Sequence, residues 1–489
     1  MNTADFIALL PLLMQAGAVL VLLGAVCVKR NHRASMILSV IASVAALAML
    51  PVAAAQAPYA VGRLLIIDRV ALFYMGLIFA GALAVTVLAY DYLERHGIRR
   101  EEFYILLQAA TTGAAVLAAT NHFAVVFLGF ELLSVSLYGM IAYIFNRPLS
   151  LEAAMKYLIL AAAASGFLLF GMALIYAESG AMTFAGLAAH AFDGPTADTH
   201  VRPLVLFSGA ALLLTGIGFK LALVPFHLWT PDIYQGAPVP VAAFLAAVSK
   251  GAVVSLLLRF ALSIDVASSE FLHMAFAGLA IASMLAGNLL ALLQRNLSRL
   301  LAYSSIAHLG YALVSIIAGG ATGAAAVTFY VTSYLITVLG AFAVISMLSS
   351  GRRDGNELGD YRGLFWRRPG LAIVFTAILL SLAGIPLTAG FMGKFFVLNA
   401  GVSASLWMLV FVLIASSAIG LFYYLRVVAT MFAALPEPTF PAPAPSPPML
   451  AISRSSGMLL GVLGAAIVVL GVFPGPAVAL IQTLWDQAP

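Results

Sequence analysis

Five lysines occur in this sequence of 489 residues, and after Lys29 the other four, Lys156, Lys220, Lys250 and Lys394, all fall inside long apolar runs. The nineteen arginines divide the other way, with seventeen in the short polar stretches between such runs. Either cation at the centre of a membrane helix costs about 2.5–3.5 kcal/mol on insertion scales. Arginine stays protonated in nearly any setting, whereas a desolvated lysine can release its proton because burial disfavours the charged form. A chain that keeps lysine in its apolar runs and leaves all but two of its arginines outside them suits groups that alternate between charged and neutral. That is the chemistry of proton transfer.

Glu131 is the acid nearest the middle of an apolar run, in Phe127-Leu-Gly-Phe-Glu-Leu-Leu-Ser134. A carboxylate there must be protonated or paired; Lys156 and Lys220, on the two following helices, are its expected partners, and a fixed structural ion pair is the alternative reading. Lys156 lies a turn or two from its helix start beside Glu152, so snorkelling to the interface competes with a buried role. Lys220 sits in Gly216-Ile-Gly-Phe-Lys-Leu-Ala-Leu-Val-Pro225, where glycines and proline loosen a helix and free its carbonyls. Lys250 is mid-run, twelve residues after Pro238, and Lys394 follows Gly384-Ile-Pro386 and Gly390. His308, among the hydroxyls of Tyr303-Ser-Ser-Ile-Ala-His-Leu-Gly-Tyr311, suits a proton relay or plain packing. His227 suits proton entry or an interface, and His122 suits a helix cap.

The elements that must hold these residues are membrane helices. Hydrophobic residues make up 63% and charged residues 9% of the chain, against about 25% charged in a soluble domain. Windows of about 20 apolar residues place fourteen spans near 6–28, 34–54, 70–90, 103–120, 123–145, 151–177, 203–225, 238–261, 271–293, 300–318, 323–349, 371–400, 404–434 and 457–482. The first span lacks the basic flank of a cleavable signal. If both termini are outside, the inner loops carry fifteen basic residues (Lys29, Arg30, Arg33, Arg95, Arg99, Arg100, Arg147, Arg295, Arg299, Arg352, Arg353, Arg362, Arg367, Arg368, Arg454) and the outer loops only Arg63, Arg69 and Arg202. The positive-inside rule selects that orientation. Spans seven and twelve are interrupted by glycine and proline, as in transporters built from inverted repeats. The expected layout is a three-helix segment over 1–100, one five-helix repeat over 101–265 (spans four to eight), a second over 266–434 (spans nine to thirteen), and a proline-rich loop with the last helix over 435–489. The single cysteine, Cys27, excludes a disulfide framework or thiolate cluster within the chain, and the net charge of +5 is spread over loops rather than gathered as a nucleic-acid patch.

The stretch Gly218-Phe-Lys-Leu-Ala-Leu-Val-Pro-Phe-His-Leu-Trp-Thr-Pro-Asp-Ile-Tyr-Gln-Gly-Ala-Pro238 strongly resembles the antiporter-like subunits of respiratory complex I, and its Trp-Thr-Pro-Asp-Ile-Tyr-Gln-Gly core resembles the subunit N branch. Glu152-Ala-Ala-Met-Lys-Tyr157, Leu301-Ala-Tyr-Ser-Ser-Ile-Ala-His-Leu-Gly310, Tyr361-Arg-Gly-Leu-Phe365, Ser381-Leu-Ala-Gly-Ile-Pro386 and Gly390-Phe-Met-Gly-Lys394 match as well. The resemblance implies an all-α fold of fourteen transmembrane helices with two inverted repeats. It puts the family's helix-five glutamate on Glu131, its broken-helix lysine on Lys220, its central lysine on Lys250 and its helix-twelve basic residue on Lys394. It also implies a bacterial inner-membrane, proton-translocating subunit of an NADH:quinone oxidoreductase. NADH, FMN, iron–sulfur clusters and quinone would belong to partner subunits, and neighbouring antiporter-like subunits would flank this one. Relatives commonly enter helix ten with adjacent lysine and arginine; this chain has Ser298-Arg299. A cation/proton antiporter subunit and a purely structural membrane scaffold are the alternatives.

Overall fold

The computed structural model describes residues 2–97, 100–191, 203–266, 269–350, 354–434 and 453–486. Arg99, Arg202, Arg352, Arg353 and the proline-rich stretch 435–448 lie outside the described residues.

Among the described residues, thirteen helices are long and apolar enough to cross a membrane, and a further span is made of two short helices, Pro369–Ala383 and Ala389–Ser403. The all-α polytopic fold expected from composition is therefore observed. At the centre stand the spans Val239–Ser263 and Leu297–Ala318, whose most apolar windows are 100% and 94% buried, whereas His32–Ala54 at the edge is 22% buried. Lipid leaves no water to satisfy stray backbone groups, so each span closes its own hydrogen bonds and each break needs a local remedy.

Both expected breaks exist. The helix Pro203–Leu221 ends where Ala222 adopts φ 60°. The Phe219 carbonyl accepts from Ala222 N–H at 2.9 Å and from Trp229 Nε1 at 3.0 Å, and Val224 N–H donates to Ser283 Oγ at 3.0 Å, before a short helix Trp229–Gly236 follows. In the twelfth span, Gly384 at φ 84° caps the first half, and Thr388 caps the second with its hydroxyl. Gly390 is required by closeness: a Cβ there would sit 1.9 Å from the Ser381 carbonyl oxygen.

Three features differ from the sequence expectation. The last apolar run, expected as one span to 482, stops at Val472; Phe473-Pro474 interrupts it, and a separate helix Gly475–Asp486 follows. Proline lacks the N–H to continue a helix. A small antiparallel hairpin, Tyr59–Val61 with Leu65–Ile67, closes the second loop, turning at Gly62 with φ 59°. Span eight contains a π-helical turn, Leu245–Ser249, directly before Lys250.

Candidate functional site

The π turn widens the helix just where Lys250 leaves it, and such turns aim side chains that an α-helix would place elsewhere. Lys250 is 2% exposed, and its Nζ donates to Ser305 Oγ at 2.6 Å. Tyr334 O–H donates to the same Ser305 oxygen at 2.6 Å, and the Tyr234 ring lies 5.7 Å below the ammonium. A cavity of about 10 Å³ bounded by Lys250, Gly251, His308, Tyr330 and Tyr334 has room for about one water.

His308 shares that cavity. Its Nδ1 meets Tyr330 O–H at 2.6 Å and its Nε2 meets Tyr424 O–H at 3.3 Å, while Tyr424 also bonds Ser304. Ser304 and Ser305 are neighbours on the helix Leu297–Ala318, but adjacent helical side chains do not face each other, so the lysine and the imidazole meet across the small cavity they both line. Farther along, Lys394 lies 5.3 Å from the Tyr311 ring centre and donates to Ser417 Oγ at 2.8 Å. It also donates to the carbonyls of Leu382 (3.1 Å) and Ala383 (2.8 Å), the open end of the first half-helix. Those carbonyls have no intrahelical partner, and the negative pole of the helix favours a cation there. The break thus builds the lysine site.

At the other break, Lys220 is in the last turn before the interruption rather than after it, so the two lysines lie on opposite sides of their breaks. Lys220 Nζ donates to Ser134 Oγ at 2.6 Å and faces the Phe130 ring at 5.6 Å. The rings of Tyr157, Phe219 and Trp229 pack together beside it.

The expected pairing of Glu131 with Lys156 or Lys220 is not observed. Glu131 accepts from Ser165 O–H at 2.6 Å, and no ion pair to a lysine forms among the described residues. It is half-buried rather than enclosed, on a helix face where Leu128 and Val135 are 64% and 59% exposed. Lys156 instead lies in a cluster with Glu152 and Asp232, each at 2.7 Å, and Arg299 holds the second Asp232 oxygen at 2.7 Å. Partial burial pushes the Asp232 carboxyl up, but the two cations donating to it leave it below the ordinary carboxylate range. Ser298 bonds Asn356 Oδ1 at 2.9 Å.

His227 is 8% exposed in the seventh-span break. His122 caps the helix Phe123–Ile141, its Nδ1 accepting from Ala124 N–H at 3.2 Å. Sequence reasoning missed Tyr330, Tyr334, Tyr424 and Ser417. Tyr330 and Tyr334 stand four residues apart in an apolar run, a spacing that puts both hydroxyls on one helix face and was the available signal. Among the described residues no group of three or more His, Cys, Asp or Glu converges, and Cys27 is exposed.

Residues 120–420 match the family described as NADH:quinone oxidoreductase/Mrp antiporter, TM. The chain is 47% identical over 484 residues to the NADH-quinone oxidoreductase subunit N of Ectopseudomonas mendocina (strain ymp), covering 97% of this chain and 96% of that protein. Its fold is similar to a chain of respiratory complex I from Thermus thermophilus, with a TM-score of 0.80, 33% identity, and 96% and 99% of the two chains covered. A chain of the Mrp complex from Dietzia sp. DQ12-45-1b aligns with a TM-score of 0.84 at 20% identity over 100% and 98% of the two chains, a likeness of fold alone.

Proposed function

Because the chain belongs to the subunit N family of bacterial NADH-quinone oxidoreductases, multi-pass membrane subunits that take part in proton translocation coupled to electron transfer in partner subunits, we infer that its proton path runs through Lys220, Lys250 and Lys394. One observation carries this reading. All three amines are enclosed, and each bonds a serine hydroxyl rather than a carboxylate. A hydroxyl can accept from an ammonium or donate to a free amine, so neither protonation state strands a buried partner. A lysine locked to a carboxylate would lose its pair on giving up the proton.

In this reading protons enter from the cytoplasm near His227, pass along the lysines with His308 and its tyrosines as relay, and leave outside. Lys156, bound into the Asp232–Arg299 cluster, serves at the entrance and not on the axis. Glu131, half-buried on an apolar face, senses charge at a neighbouring antiporter-like subunit, and the Ser165 and Ser134 hydroxyls set its position relative to Lys220. The two breaks support the inverted repeats over 101–265 and 266–434, and the arginine partition supports both termini on the periplasmic side.

Lys250→Ala separates this reading from a scaffold. The complex is expected to assemble and to oxidise NADH with an artificial acceptor at the normal rate, while quinone reduction slows or the protons moved per NADH fall. A normal rate with a normal ratio in sealed membranes would remove Lys250 from the path.

A further inference from the structure

A cavity of about 580 Å³ opens at one end of the bundle, walled by Asp68, Asn121, Arg259, Ser263, Gly320 and Trp485, among others. The arginine partition makes this the outer end. Arg259 clamps Asp68 with two parallel bonds, Nη1 to Oδ2 at 2.8 Å and Nη2 to Oδ1 at 2.9 Å, with side chains 13% and 8% exposed. Asn121 Oδ1 is buried there without a protein partner.

Arg259 rides on the helix that carries Lys250, nine residues on, or about 13 Å at helical rise. Between them stands Ser255, 2% exposed, whose hydroxyl has no protein partner. A helical serine usually bonds the carbonyl four residues back, as Ser263 does to Arg259 at 2.9 Å; Ser255 does not bond Gly251. Steps of four put Gly251, Ser255, Arg259 and Ser263 in one row on the helix. Gly251 borders the small cavity beside Lys250, and Arg259 and Ser263 border the large one. The row holds no large apolar side chain.

We propose that this row is the outward route for the proton held by Lys250, with Ser255 as its relay and the Asp68–Arg259 clamp at its mouth. The ammonium N–H bond breaks and an oxygen lone pair of water takes the proton. Ser255 then accepts one proton and passes on another, so its hydroxyl is unchanged. Arg259, fixed by Asp68, sets a positive charge at the mouth that opposes return of protons, as arginines do in selective pores. The route rests on the reading of Lys250 as a titrating relay and on the outward orientation of this end.

The test uses the assembled complex in sealed proteoliposomes, with Ser255→Val, Ser255→Thr and Lys250→Ala compared. Valine and threonine have nearly the same shape, and only threonine keeps the hydroxyl. Ser255→Val is expected to lower protons released per NADH by the same fraction as Lys250→Ala, and Ser255→Thr to restore them. A loss in Lys250→Ala without a loss in Ser255→Val overturns the route and leaves the lysine reading standing. An unchanged ratio in both variants overturns the route, and if Lys250→Ala also keeps the normal rate of quinone reduction the lysine reading falls with it. An equal loss in the valine and threonine variants shows a packing defect and overturns the relay. In a Cys27→Ser background, Ser263→Cys is expected to react with the impermeant 2-sulfonatoethyl methanethiosulfonate from the outer side; reaction from the inner side alone overturns the outward assignment.

Discussion

At the scale of single residues, the serine partners of the lysines make the sharpest demand on experiment. Ser305 receives two donors, Lys250 Nζ and Tyr334 O–H, inside a closed core. Its removal leaves both unpaired, and an unsatisfied buried donor costs about 1–3 kcal/mol. Ser305→Ala is therefore expected to slow quinone-coupled turnover and to lower the unfolding temperature in detergent by a few degrees, with Ser305→Thr closer to wild type. The Asp232 cluster supplies a pH prediction. Its carboxyl is held below the ordinary range by Lys156 and Arg299, so its stabilisation is fully present above that range and is lost as pH falls through the lowered value. Thermal unfolding is expected to show this acid-side loss in wild type and not in Asp232→Asn. The lysines and His308 were legible because a basic or titratable group in an apolar run is conspicuous. Glu131 was conspicuous as an acid in an apolar run, but its partner was not. A serine thirty-four residues away carries no charge pattern, and pairing depends on helix rotation that apolar periodicity leaves open in lipid.

At the scale of elements, both breaks were readable from glycine and proline, which weaken or interrupt a helix, although the left-handed residue that ends the first helix is Ala222. Gly390 tests this directly. Its Cβ would fall 1.9 Å from the Ser381 carbonyl oxygen, a backbone atom that cannot move aside. Gly390→Ala is expected to prevent the two halves of span twelve from meeting and to abolish incorporation of this chain into the complex, read by native gel electrophoresis; Gly461→Ala, with open space at its Cβ, is expected to incorporate normally. The π turn was not readable. Leu245-Ala-Ala-Val-Ser249 is an ordinary apolar segment, with no glycine or proline to mark an extra residue in the turn. Deleting Ala247 removes the extra residue and closes the turn into α-helix, so the widening ahead of Lys250 is lost. If the turn exists to aim Lys250 at Ser305, the deletion is expected to cut turnover as severely as Lys250→Ala does.

At the scale of the whole molecule, the parts read from sequence as separate are tied together at the end that the charge partition places in the cytoplasm. Asp354, after span eleven, accepts from Arg147, between spans five and six, and from Tyr92 O–H of span three at 2.8 Å. Arg147 Nη2 also donates to His96 Nε2 at 2.9 Å, which leaves His96 Nδ1 to donate to the Tyr92 carbonyl at 2.7 Å. One cluster thus joins the three-helix segment and both proposed repeats. Sequence alone hid it, because Arg147 and Asp354 lie 207 residues apart and each reads as an ordinary loop charge. Their side chains are 24% and 15% exposed, enclosed enough that water compensates poorly when one is removed. Breaking an enclosed pair from one side typically costs about 3–5 kcal/mol, while replacing both members with neutral groups costs much less. Arg147→Ala and Asp354→Ala are each expected to lower the detergent unfolding temperature strongly, and the double variant to recover a substantial part of the loss. Because, among the described residues, no member of the cluster bonds Lys220, Lys250 or Lys394, protons moved per NADH are expected to stay normal in whatever complex assembles. Strict additivity of the two single losses would mean that the cluster does not act as one joint, and that the three parts are held instead by the apolar contacts of the spans alone.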